Sequence, residues 1–170
     1  MSQIHICSYS ERESYRSQQI THLITIANPG ADNVPPAWFT GDHLPLWFGD
    51  VVSEADARQC KTRAVSSDDI KQAIIFFRVS RQQHNYNILI SCDYGASRSP
   101  ALAYVLLADQ YGQGREAEVF NEVLLIRPEA IPNKLVVELA DQLLGRQGQL
   151  VAPLREYFKS VSSEMCGMPV

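Results

Sequence analysis

The sequence predicts an α/β protein with a small, mostly parallel central sheet flanked by helices. Three observations carry this. Short β-branched runs stand at 4–8 (IHICS) and 20–27 (ITHLITIA), and a short apolar run at 87–91 (NILIS). Apolar residues recur at helical spacing from Ser66 onward, so that helices dominate the second half. The composition is that of an ordinary globular chain, with 45% hydrophobic and 20% charged residues in 170. At this size a core forms without staples, and one domain over 1–170 is expected, with 147–170 as a tail or an extra helix.

Taken in order, IHICS and ITHLITIA read as strands, the second closed by the turn signal Asn28-Pro29-Gly30. Between them SERESYRSQQ is polar and has room for one short helix. Residues 28–41 carry three prolines and two glycines and read as loop. HLPLWF (43–48) suggests another strand, placed by Pro45 at a sheet edge or near a strand start. In SSDDIKQAIIFFRVSRQQ a serine caps, Asp68 and Asp69 favour the first turn, and Ile70, Ala73, Ile74 and Phe77 fall on one helical face. NILIS is a buried strand, followed by the loop CDYGASR and the helical run SPALAYVLLADQY, which stops at Gly112. Pro100 is tolerated in the first turn, where a backbone N–H has no partner anyway. Two amphipathic helices follow near 115–127 and 132–145, separated by RPEAIP, and a further helix fits 152–163 before a frayed end.

A formal charge of −4 argues against broad electrostatic capture of nucleic acid or an anionic membrane. Cys7, Cys60, Cys92 and Cys166 lie far apart, without a Cys-x-x-Cys pair, and the four histidines show no metal spacing, so neither a disulfide framework nor a metal site is suggested. No basic, apolar leader and no long apolar span is present. A soluble, cytoplasmic protein with reduced thiols is the expectation.

The chemistry concentrates in NILISCDYGASRSPAL (87–102), a strand, a tight loop and a helix start. Cys92 and Arg98 stand in a Cys-x5-Arg relation, expected by chance about 0.3 times in a chain of this composition. Requiring Gly95 and Ser99 as well lowers that to about 0.001. A loop entering a helix N-terminus gathers backbone N–H groups into one concavity, where the helix dipole adds partial positive charge, which suits an oxyanion of phosphate size. Gly95 lets the backbone curl. Arg98 offers a planar fork to two phosphate oxygens, and the same positive environment favours the Cys92 thiolate. Asp93, Tyr94, Gly95, Ala96, Ser97 and Arg98 would then line the phosphate, with the Asp93 side chain expected to turn outward.

Ser91-Cys92-Asp93-Tyr94-Gly95-Ala96-Ser97-Arg98-Ser99 resembles the signature His-Cys-x-x-Gly-x-x-Arg-Ser/Thr of the cysteine-dependent protein tyrosine phosphatase superfamily, nearest to its compact dual-specificity-like and bacterial forms. Ser91 stands where the family has histidine, a residue that orients the loop and tunes the cysteine. The order of elements over roughly 20–145 is also similar. LPLWFGDV resembles the family's general-acid segment, and RPEAIPNKLVVELADQLL resembles its late helices. The resemblance implies a two-step, metal-free and cofactor-free reaction. Cys92 attacks phosphorus to give a phosphocysteine, an acid protonates the leaving oxygen, and Ser99 stabilises the sulfur anion. Asp50, after an apolar run and beside Gly49, is the first candidate for the acid, with Asp42, Glu54 and Asp56 as acidic loop alternatives.

The resulting expectation is a phosphate monoester hydrolase acting on phosphorylated protein, phosphotyrosine first, because the variable loop positions carry no Lys or Arg to favour polyphosphorylated ligands. Two alternatives stay open. One is a phosphate- or phosphopeptide-binding module without turnover, motivated by Ser91 and Asp93. The other is sulfur or arsenate transfer, which would need a second essential cysteine. Oligomeric state has no signal in the sequence.

Overall fold

Among the described residues every strand runs the same way. The computed structural model describes residues 3–166, in which β1 (Gln3–Ser8), β2 (His22–Ala27), β3 (Asp42–Trp47) and β4 (Asn87–Cys92) form one sheet in the order β1-β4-β2-β3, all pairs parallel. The sheet is thus wholly rather than mostly parallel. β3 lies at an edge, which accommodates Pro45, a residue that cannot donate to a ladder. Residues 167–170 and the side chain of Cys166 lie outside the described residues.

The strands are apolar on both faces because both are covered. Ile6, Ile24, Ile26, Ile88, Ile90 and Cys92 belong to the main core with the helices. The alternate residues Cys7, Leu23 and Leu89 pack on the opposite face under Ile20 and Phe39, with Tyr15 from a single 3-10 turn (Arg12–Tyr15) and Trp38 beside them. The period of two is therefore legible as two different cores rather than as core and solvent.

Helices α2 (Ser67–Ser80), α3 (Arg98–Tyr111), α4 (Glu116–Ile126), α5 (Lys134–Leu143) and α6 (Val151–Cys166) build the main core. α3 is buried continuously from Arg98 to Ala108, which makes it the central helix and explains its weak amphipathicity. α2 begins at a capping box: the Ser66 hydroxyl accepts from the Asp69 amide, and the Asp69 carboxylate accepts from the Ser66 amide at 2.8 Å. The turn from α5 to α6 is fixed by Asp141, whose carboxylate accepts the amides of Gly148 and Leu150 at 2.7 and 2.9 Å. Beside it, buried Arg146 pairs with Glu116 at 2.9 Å and donates to the Ala108 carbonyl, tying α3 to α4.

One short helix, α1 (Glu54–Gln59), has no counterpart in the sequence expectation, which took Glu54 and Asp56 as loop residues. Six residues are too few to show periodicity. Ser53 starts α1, its hydroxyl accepting from the Asp56 amide at 3.1 Å. Among the described residues no helix is long and apolar enough to cross a membrane.

Candidate active site

Each strand delivers something to one end of the sheet. β1 leads into Ser8 and Tyr9, β2 into Asn28, β3 into Phe48, Gly49 and Asp50, and β4 ends at Cys92. In parallel sheets this carboxyl edge, where the strand order departs from the chain order, is where ligands bind.

The 93–97 loop is shaped from outside. The Asp93 carbonyl accepts from the Tyr9 amide at 3.2 Å, the Tyr94 carbonyl from Arg127 at 3.5 Å, the Ala96 carbonyl from the Ile131 amide at 2.7 Å, and the Ser97 carbonyl from the Ala101 and Asn133 amides, each at 3.1 Å. Carbonyls held outward leave the amides facing the other way. Among the described residues no protein acceptor is found for the N–H groups of residues 93–97, and a ring of unpartnered donors is an anion cradle. Gly95 is required here for two reasons: its φ is +69°, and an added Cβ would lie 2.6 Å from backbone atoms of Cys7 and Ser8. The loop is thereby seated directly against β1.

Cys92 is 4% exposed, at the strand end from which this loop departs, and its Sγ lies 3.1 Å from the hydroxyl of fully buried Ser99. That oxygen can donate to a sulfur anion. Ser97, the residue before α3, makes no side-chain cap; its hydroxyl donates to Asp50 at 2.6 Å instead, so the first-turn amides of α3 are not consumed by capping.

Arg98 is the largest buried side chain at 2% exposure. Its Nη1 donates to Asn28 Oδ1 at 3.0 Å and to the Phe48 carbonyl at 2.9 Å, and its Nη2 donates to the Asp93 carboxylate at 2.6 Å. Nε is buried with no partner. A buried, unsatisfied donor is costly, and an oxyanion at the cradle is the group that would satisfy it.

The sequence expectation for Asp93 is overturned. Its side chain does not turn outward but folds onto Arg98 and also accepts from Asn28 Nδ2 at 3.1 Å. The physical reason is the buried guanidinium, which needs a counter-charge and finds the nearest carboxylate five residues earlier in the same loop.

Asp50 is exposed at the rim, its Oδ1 accepting from Ser97 and, at 2.8 Å, from Asn133 Nδ2. It shares a cleft of about 450 Å³ with Asn28, Lys61, Asp93, Tyr94 and Arg98. Asp42 sits at the start of β3, remote from the strand ends, beside His22 at 3.5 Å. Asp56 is engaged in capping α1. Larger clefts exist, such as the groove of about 760 Å³ between α4 and α6, but that groove is mainly apolar and gathers no comparable set of reactive groups.

Asn28, Asn133 and Arg127 are site residues that sequence reasoning missed. Asn28 read as a turn former and Asn133 as part of the 132–145 helix; in the structure Asn133 both caps α5 and, through its amide group, holds Asp50 and the Val51 carbonyl. Nothing in a single sequence separates the two uses. Cys7, a conceivable disulfide partner for Cys92, is a free thiol, pushed up to about 12 first by burial and then by Glu11; Cys60 is free and exposed at the cleft.

No protein-family model and no curated protein matches the chain by sequence. Solved structures do match in three dimensions. Human DUSP28 is 16% identical over 82% of this chain and 90% of its own, with a TM-score of 0.62. DUSP15 is 19% identical over 90% of both chains, TM-score 0.62. The Yvh1 phosphatase domain from Chaetomium thermophilum is 14% identical over 86% of this chain and 93% of its own, TM-score 0.62. The fold is that of the dual-specificity and protein tyrosine phosphatases.

Proposed function

We propose that this chain, folded as the dual-specificity and tyrosine phosphatases are, is a single-domain, cysteine-dependent phosphatase that hydrolyses phosphate monoesters, with protein phosphotyrosine as its leading substrate. The observation that carries the reading is the Cys92 sulfur, 3.1 Å from the Ser99 hydroxyl, at the foot of a loop whose amides and Arg98 Nε have no protein partner.

In the first step the Cys92 thiolate attacks phosphorus in line and forms the S–P bond as the ester P–O bond breaks. Asp50, when protonated, gives its proton to the departing oxygen; as carboxylate it then takes a proton from the water that displaces phosphate and returns the sulfur as thiolate. The loop amides and Arg98 Nε hold the equatorial oxygens, where charge spreads in the transition state. Ser99 donates to the sulfur anion on arrival and on departure. Ser97 and Asn133 fix the carboxyl group of Asp50 at the rim, which supports it over Asp42, Glu54 and Asp56 as the acid. No step calls for a metal or a cofactor. Thiolate chemistry of this kind fits a reducing, cytoplasmic setting.

The direct test is a rapid acid quench of the protein with phosphorus-labelled phosphotyrosyl peptide. Label trapped on Cys92 supports the mechanism. Bound peptide without trapped label or turnover supports a phosphopeptide-binding module, the alternative favoured by the Asp93 carboxylate already on Arg98. For the acid, Asp50→Asn is expected to lower kcat by about 10²-fold on phenyl phosphate and by less on p-nitrophenyl phosphate, whose better leaving group needs the proton less. Equal losses on both esters would remove Asp50 from that role.

A further inference from the structure

The cradle carries its own anion. Of the charged side chains lining the cleft, Asp50 and Asp93 oppose Lys61 and Arg98, and the cation at the centre is already paired, since the Asp93 carboxylate takes Arg98 Nη2 at 2.6 Å. Asn28 locks that arrangement from β2, donating to Asp93 at 3.1 Å while accepting from Arg98 at 3.0 Å. The pair is fixed rather than incidental, because Arg98 is buried and its Nη1 is held by Asn28 and the Phe48 carbonyl, so the guanidinium cannot rotate away from the carboxylate without breaking both bonds. The Nε–H, the second N–H of Nη2 and the loop amides remain for a ligand.

An incoming oxyanion therefore meets attraction from the loop dipoles, Lys61 and a half-neutralised arginine, together with repulsion from the carboxylate on that arginine. Each of these Coulomb interactions doubles for a doubly charged ligand, so a carboxylate held against the arginine takes twice as much binding from it as from a singly charged one. We infer that Asp93 is the specificity-determining residue of the cradle and weakens its preference for doubly charged phosphoryl groups relative to singly charged ones. This inference rests on the phosphate-site reading above and narrows its substrate class to esters without further anionic groups beside the reacting phosphate. Tyr94, 81% exposed at the next loop position, adds a neutral aromatic rim in keeping with that class.

The test uses two tetrahedral oxyanions of similar size and different charge, perrhenate (one) and tungstate (two), titrated calorimetrically at slightly alkaline pH and constant ionic strength. The full chain with Cys92→Ser serves as the parent, so that no thiol titrates or reacts. Adding Asp93→Asn is expected to shift the affinity ratio toward tungstate by about tenfold, with the tungstate gain larger than the perrhenate gain. Asp93→Ala, which also lacks the carboxylate but cannot mimic its hydrogen bonds, is expected to shift the ratio in the same direction. An unchanged ratio in both variants, with both anions bound, overturns the inference and leaves the phosphate site intact. Absence of binding of either anion to the parent overturns the phosphate-site reading and the inference with it.

Discussion

Replacing Cys92 by serine is expected to reduce hydrolysis of p-nitrophenyl phosphate by on the order of 10⁴-fold or more, while the folded state and oxyanion binding persist. The serine oxygen is smaller than sulfur but has the same shape of side chain and can hydrogen-bond Ser99, so the buried polar group stays satisfied. What disappears is the nucleophile: a serine hydroxyl is ionised only far above neutral pH, and no histidine or other base stands among its hydrogen-bond partners to take the proton. Hydrolysis rates together with tungstate binding to the variant check this. Retained hydrolysis would show that the sulfur is not the attacking atom and would sink the phosphatase mechanism as stated.

A second large effect is expected from Gly95→Ala. Two costs combine there. A left-handed backbone is disfavoured for alanine by about 1–2 kcal/mol, and the new methyl would stand 2.6 Å from the Cys7 carbonyl carbon and the Ser8 amide, backbone atoms of a paired strand that cannot yield cheaply. Overpacking of this kind costs about 1–3 kcal/mol. A fall in Tm of about 5–15 °C follows for a chain of this length. The loop that relieves the clash must leave β1, and with it the amide cradle. Gly30→Ala is the control: its φ is +85°, but nothing lies within 4 Å, so only the conformational cost applies and activity should persist. Thermal melts and phosphatase assays on both variants decide it. A Gly95→Ala protein as stable and active as Gly30→Ala would mean that the loop does not rest on β1 as described.

Much of this architecture was legible because the local signals agree with the fold. β4 and α3 could be read from NILIS and from the serine- and proline-marked helix start, and the helix stop at Gly112 coincides with its observed cap. Pro45 pointed to an edge or a strand start for β3, and the strand lies at an edge. The sequence motif likewise brought Cys92, Arg98 and Ser99 to one place. What stayed hidden was of a different physical kind. α1 is too short for a periodic pattern. The outward-held carbonyls depend on Tyr9, Arg127, Ile131 and Asn133, whose contribution is mostly a backbone N–H that every non-proline residue has. The direction of Asp93 follows from the depth at which Arg98 is buried, a property of the packed protein and not of the loop's seven residues.

The position of β3 has a consequence for how the protein fails. It pairs on one side only, with β2, and it carries toward the site both the carbonyl that braces Arg98 and the segment ending in Asp50. Fraying at that margin would detach Asp50, the proposed proton donor, and loosen the guanidinium while the helices and the remaining three strands stay associated. The proposed activity is thus tied to a margin of the sheet that pairs on one side only, so inactivation under mild stress can precede and outnumber global melting, and can reverse on relief without a refolding step.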